Sequence, residues 1–124
     1  MDDKTLLRYS RQIMLPELDI AGQEKLLDAK VLVLGMGGLG CPVALYLSAT
    51  GIGELILADD DEVEISNLQR QIAHFQNSVG MNKAKSVGDT LTKLNPNQRT
   101  TLIEYRMNSS DLEQRLPSID LVID

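Results

Sequence analysis

The chain has 124 residues, 43% hydrophobic and 24% charged, enough for one soluble domain with a core of its own. Its net charge of −6 argues against a general binder of nucleic acid or of membrane surfaces, since both need a basic footprint. One cysteine, Cys41, excludes an internal disulfide and a cysteine-rich zinc site within these residues. Residues 3–13 read as a helix, with Leu6, Leu7, Ile13 and Met14 at near-helical spacing, Asp2 or Asp3 as cap and Pro16 as terminator. A second short helix is expected over 22–27. Residues 30–34 form an unbroken apolar run, the pattern of a strand in a parallel sheet covered on both faces. The next helix spans about 38–50 and is stopped by Gly51-Ile52-Gly53, and the second strand is 54–59. An acidic stretch, Asp60-Asp61-Glu62-Val63-Glu64, leads to Ser66-Asn67-Leu68-Gln69-Arg70-Gln71. After Gly80, a helix is expected over about 82–94, closed by Asn95-Pro96, then a strand over 100–105. A short helix over 110–115 and a fourth strand over 120–124 complete the chain, with no repeat or low-complexity segment.

Strands alternating with helices imply right-handed crossovers and a parallel sheet. The expected class is therefore α/β, a Rossmann-like doubly wound sheet of strands one to four, preceded by N-terminal helices. In that order strand four lies beside strand one, and ligands bind outside the carboxyl ends of the strands. Asp124 then lies close to the crevice, and the loop forming the other wall is not among these residues. The chain is accordingly expected to be the N-terminal part of a larger protein.

The first strand runs straight into Gly35-Met36-Gly37-Gly38-Leu39-Gly40, a Gly-x-Gly-x-x-Gly loop. In this pattern Gly35 permits a tight turn, Gly37 lets backbone approach a phosphate, and Gly40 lets helix pack on strand. The following helix N-terminus offers unpaired N–H groups to an anion. Asp59, about twenty residues past the loop, is positioned to accept from ribose hydroxyls. These features fit a dinucleotide and ATP equally well. Asn67, Arg70 and Lys83 lie on segments leaving strand two and can reach the same crevice. A nicotinamide dinucleotide needs no cationic cluster there, whereas attack at an α-phosphate builds charge that Arg and Lys donors stabilise. Surface cations balancing the acidic stretch remain an equal alternative on spacing alone.

Several motifs in order are more specific. Arg8-Tyr9-Ser10-Arg11-Gln12, the glycine loop, Asp59-Asp60-Asp61 with Val63 and Ser66-Asn67-Leu68-x-Arg70-Gln71, Val79-Gly80-x-x-Lys83 and Leu94-Asn95-Pro96 span essentially the whole chain. In these motifs the sequence resembles the MoeB/ThiF/HesA family, bacterial relatives of ubiquitin-activating enzymes. The resemblance implies an adenylyltransferase that uses Mg-ATP to activate the C-terminal glycine of a ubiquitin-like sulfur carrier, of molybdopterin or thiamine type. It implies that Gly38 lies along the phosphates, that Asp59 holds the ribose, and that the segment Ser66, Asn67, Leu68, Gln69, Arg70 binds nucleotide together with Lys83. Arg70 and Lys83 would be catalytic, as would Arg11, which resembles an arginine reaching across a homodimer interface. Such a role explains Arg8 and Arg11 lying three residues apart on one helix face. The main magnesium ligand, a paired CxxC zinc site and the loop gripping the carrier's tail are all expected beyond residue 124, so no metal ligand is assigned here.

The expected organisation is thus a helical dimerisation segment over 1–29 and a nucleotide-binding domain over 30–124, truncated at its C-terminal end. The expected partners are a sulfur carrier and a second copy, not nucleic acid or membrane. No apolar run approaches a membrane span, and Met1-Asp2-Asp3-Lys4 does not read as a signal peptide, so a cytoplasmic protein is expected. The chain by itself is expected to be inactive. Competing readings are an NAD-dependent oxidoreductase and a non-catalytic dimerisation module. Cys41 is read as a packing residue, His74 as a satisfied structural histidine, and Asp60, Asp61, Glu62 and Glu64 as a solvated acidic turn.

Overall fold

The computed structural model describes residues 1–124. Two helices, α1 (Asp3–Arg8) and α2 (Ser10–Ile13), precede α3 (Asp19–Asp28). Then follow β1 (Lys30–Leu34), α4 (Gly40–Thr50), β2 (Glu54–Ala58), α5 (Lys83–Leu94), β3 (Arg99–Ile103), α6 (Ser109–Arg115) and β4 (Leu121–Ile123). All strand pairs are parallel and the order is β3-β2-β1-β4. The expected α/β class and the place of strand four beside strand one are both found. The switch point falls between β1 and β2 on one side and β4 on the other, directly above the glycine loop.

The apolar strands divide their side chains between two layers, as a period of two requires. Val31, Val33, Leu55 and Leu57 face α4 and α5, where Cys41, Ala44, Ala84, Val87 and Leu91 complete the larger core. Leu32, Ile56, Ala58 and Ile103 face the opposite side, against Met107, Leu112, Ile119 and Val122. Both faces of the sheet are therefore covered, which explains why β1 and β2 show no polar alternation.

Local signals set most boundaries. Asn82 accepts from the Lys85 amide at 3.1 Å and caps α5. Gly51, at φ 97°, supplies the left-handed residue that ends α4. One expected element is corrected: the helix over 3–13 is two helices, broken at Tyr9 (φ −105°, ψ 13°). The cause is tertiary. Tyr9 is 5% exposed, and its hydroxyl accepts from Asn95 Nδ2 at 2.9 Å. The break also places Arg8 and Arg11 on different helices, Arg8 closing α1 and Arg11 within α2. Arg8 donates to the Leu94 carbonyl at 3.3 Å. A second correction is small: α4 begins at Gly40, leaving Gly38 in the preceding turn rather than in the helix.

Candidate nucleotide site

The loop between β1 and α4 is built by two glycines with opposite duties. Gly35 turns the chain at φ 90°. A Cβ on Gly40 would lie 1.7 Å from the Gly35 carbonyl oxygen, so only glycine allows helix and loop to close on each other. Gly38 is different: a Cβ there would meet nothing within 4 Å, and at Gly37 the nearest atom would be Gln71 Nε2 at 3.7 Å. The surface of the loop at Gly37 and Gly38 is open, a strip that a phosphate can occupy.

Asp59, just past β2, braces this loop. One carboxylate oxygen accepts from the Met36 amide at 2.7 Å and the other from the Asp61 amide at 2.8 Å. Each oxygen keeps a lone pair for a further donor. Two clefts flank the loop and meet at Gly35 and Asp124. The first, of about 340 Å³, includes Leu34, Asp59, Asp60, Tyr105, Arg106 and Met107 in its lining. The second, of about 330 Å³, includes Gly37, Gly38, Val43 and Ile123. Tyr105, Arg106 and Met107 were missed from sequence. The signal was the order of strands, because the segment after β3 must emerge beside the end of β2.

Lys83 opens α5 and is 8% exposed, yet it makes no ion pair and no side-chain hydrogen bond. The chain's ion pairs are Lys30–Glu54 and Lys85–Asp89, neither involving the site. The Lys83 amide donates to the Asp61 carbonyl at 2.9 Å, and Asn82 Nδ2 donates to the Asp59 carbonyl at 2.9 Å. The acidic stretch thereby ties the start of α5 to the end of β2. The side chain is thus largely covered while its ammonium carries no counter-charge within the chain, which leaves it free to meet an anion.

The segment from Ser66 to Arg70 leads away from the short 3₁₀ turn Ile65–Asn67. Asn67 is buried, and its Oδ1 accepts from the Glu64 amide at 2.9 Å, leaving Nδ2 as an unused donor. Ser66 and Gln69 are exposed and Leu68 is half-buried. Arg70 is exposed and donates to the Ser66 carbonyl at 3.2 Å. The next side chain, Gln71, lies beside Gly37, so this segment runs along the glycine loop.

Beneath the loop lies a cluster that sequence distance concealed. His74 Nε2 donates to the Met36 carbonyl at 2.9 Å and Nδ1 accepts from the Ser86 hydroxyl at 2.7 Å. Cys41 Sγ sits 3.6 Å from His74 Nε2 and 3.3 Å from the Met36 carbonyl. Burial pushes the Cys41 thiol above its ordinary range, which keeps it protonated and inert. Burial also holds His74 below its ordinary value, opposed by its bond to the Met36 carbonyl and assisted by the Lys83 charge. Both residues therefore serve the packing and bonding roles expected of them. The carboxylates of Asp59, Asp60 and Asp61 lie within 4.8 Å of one another, the latter two exposed.

Arg11 is not brought to this site. Its neighbour Gln12 donates to the Thr50 carbonyl at 2.6 Å, and buried Gln23 donates to the same oxygen at 3.1 Å. Thr50 ends α4, whereas the glycine loop precedes its start. Eleven residues of helix separate the two by about 16 Å, more than an arginine side chain spans.

Comparison with known proteins decides the lineage. The ThiF family model matches residues 9–124. The chain belongs to the ThiF family. It is 44% identical to the sulfur carrier protein ThiS adenylyltransferase of Escherichia coli (strain K12), over all of this chain and 49% of that protein. It is 43% identical to the molybdopterin-synthase adenylyltransferase of the same organism, over all of this chain and 50% of that protein. The chain thus spans about half the length of these relatives. Among solved structures, Escherichia coli tRNA N6-threonylcarbamoyladenosine dehydratase, TcdA, in complex with AMP, superposes with a TM-score of 0.90 at 28% identity, covering 99% of this chain and 50% of that one. No helix of this ThiF-family chain is long and apolar enough to cross a membrane.

Proposed function

We propose that the chain supplies most of the ATP site of an adenylyltransferase acting on a ubiquitin-like sulfur carrier. The observation that carries this reading is Lys83, a mostly covered side chain whose ammonium has no partner in the chain, on the helix whose start is tied to Asp59. A triphosphate satisfies it, and the open strip at Gly37 and Gly38 accommodates phosphate on the same side. The names of the relatives, both adenylyltransferases, point the same way.

On this reading the adenosine occupies the cleft lined by Asp59, Tyr105 and Met107, with Asp59 accepting from the ribose. The phosphates run over Gly38 towards Asn67, Arg70 and Lys83. The carrier's C-terminal carboxylate oxygen bonds to the α-phosphorus while the bond to the β-phosphate oxygen breaks. Acyl-adenylate and pyrophosphate result. Arg70 and Lys83 meet charge that grows on the α-phosphate and the leaving pyrophosphate. Magnesium, when bound, adds neutralising charge to the phosphates, and its main protein ligand belongs to sequence beyond residue 124. Cys41 is the only cysteine here, so any zinc site of the paired CxxC type would lie outside these residues.

Residues 1–29 act as a dimerisation segment ahead of the nucleotide-binding unit of 30–124, in a cytoplasmic homodimer. The separation of Arg11 from the glycine loop of its own chain supports service to a partner's site. These 124 residues, about half the length of the relatives, are expected not to turn over by themselves. Carrier-dependent ATP–pyrophosphate exchange by the full-length protein is the test, with ThiS-type and MoaD-type carriers compared. Exchange should fall by about 10² or more in Arg70→Ala and in Lys83→Ala. Stabilisation by NAD instead of Mg-ATP in a thermal-shift assay would overturn the reading in favour of an oxidoreductase. Absence of exchange with every carrier would leave only a binding or scaffold module.

A further inference from the structure

Gln71 is the one polar side chain at the loop that the reading above leaves idle. It is 4% exposed, and its Oε1 is fully buried without any hydrogen-bond partner. Its Nε2 makes no bond within the chain either, and points to Gly37, 3.7 Å from where a Cβ would stand. A buried amide whose oxygen has no partner is expensive, and a methionine of similar length would fill the same volume at no such cost. Nothing in the packing of the chain requires an amide here. The group that does require one lies outside the chain, on the open strip at Gly37 and Gly38.

We propose that Gln71 is a nucleotide-binding residue, whose Nε2 donates to an oxygen of the phosphate resting on Gly37 and Gly38. The proposal rests on the ATP reading given above and adds a contact to it. Three observations converge on it: the side chain is buried beside the loop, its Nε2 is the atom nearest Gly37 and has no partner within the chain, and two glycines leave room for a ligand where their Cβ atoms are missing. Gln71 also follows Arg70 directly, so one short stretch of chain carries a buried neutral donor and an exposed cation. The geometry distinguishes the two: Arg70 is exposed, whereas Gln71 is held by burial. A preorganised neutral donor of this kind orients a phosphate without adding charge to it.

The experiment is a calorimetric titration of the full-length protein and its Gln71→Met and Gln71→Glu variants with Mg-ATP and, separately, adenosine. Melting temperatures are recorded without ligand. Gln71→Met should bind ATP about tenfold more weakly, the worth of one hydrogen bond to a charged group, with adenosine affinity unchanged. Its ligand-free melting temperature should equal or exceed that of the wild type, because an unpaired buried amide has been removed. Gln71→Glu should lose more ATP affinity than Gln71→Met, since a carboxylate replaces the donor and repels phosphate. Wild-type ATP affinity in either variant would overturn the assignment while leaving the ATP reading intact. Equal losses for ATP and adenosine together with a lowered melting temperature would make Gln71 a structural residue. A wild-type protein that binds no ATP would sink both readings at once.

Discussion

His74 illustrates how a single buried group makes its surroundings pH-sensitive. Its two nitrogens join the glycine loop at Met36 to α5 at Ser86, an arrangement that needs the neutral ring with the proton on Nε2. Folding lowers its pKa from the ordinary 6.5, chiefly through burial. Above that value both folded and unfolded chains hold the neutral ring, and the full stability is present. As pH falls through 6.5 towards the folded value, the unfolded chain takes up a proton that the folded chain resists, so stability is lost. Urea unfolding midpoints should therefore decline from pH 7.5 into the region where carboxylates take over. His74→Gln should be less stable at neutral pH by about 1–3 kcal/mol, the cost of disturbing a buried bonded pair, with a flatter profile over the same window. A mutant profile as steep as the wild type would assign the loss to other groups. Cys41 acts in the opposite sense: its raised pKa preserves stability below the ordinary thiol value of 9.0 and loses it as pH rises beyond that.

Elements meet where side chains are missing. At Gly40 the start of α4 touches the backbone of the loop it follows, and at Gly53 the start of β2 would place a Cβ 1.8 Å from the Leu27 carbonyl oxygen. Gly40→Ala forces helix and loop apart, and a loss of about 3 kcal/mol or more is expected, at the upper end for overpacking. Gly38→Ala meets no neighbour and occupies no positive-φ position, so it should melt with the wild type. On the proposed function it should nonetheless bind ATP poorly, because its methyl group stands where the phosphate lies. The contrast separates the two uses of glycine in one loop, and thermal melts paired with ATP titrations read both. A destabilised Gly38→Ala, or one with full ATP affinity, would contradict the assignment of the open strip.

At the scale of the whole molecule, the N-terminal helices are docked on the end of the sheet opposite the ligand crevice. Tyr9, Gln12 and Gln23 fasten them to Thr50, Gly51 and Asn95. If the proposed dimer forms, Arg11 can act only on the other copy's nucleotide, and the two active sites are shared. Mixing full-length Arg11→Ala with Lys83→Ala protein gives mixed dimers in which one site carries both mutations and the other neither. Such dimers should recover up to about half of wild-type pyrophosphate exchange although each parent is nearly inactive. Native mass spectrometry establishes that mixed dimers are present. Their presence without rescue would return Arg11 to a structural role.

Much of this architecture was legible in the sequence alone. The unbroken apolar runs of β1 and β2, the stops at Gly51 and Asn95-Pro96, and the alternation of strand and helix specify a parallel sheet, because each depends on residues close together in the chain. The places of Asp59, Lys83 and the glycine loop in the fold were legible for a related reason: a strand end and a helix start have fixed places in a doubly wound sheet. Only the tertiary structure decided that the helix over 3–13 breaks at Tyr9, that Cys41, His74 and Ser86 form one cluster, that Lys83 lacks a partner, and that Gln71 lies buried with an idle amide. Each of these is a statement about which groups lose water and what replaces it. Burial and hydrogen-bond satisfaction are set by neighbours tens of residues away, which local patterning does not encode.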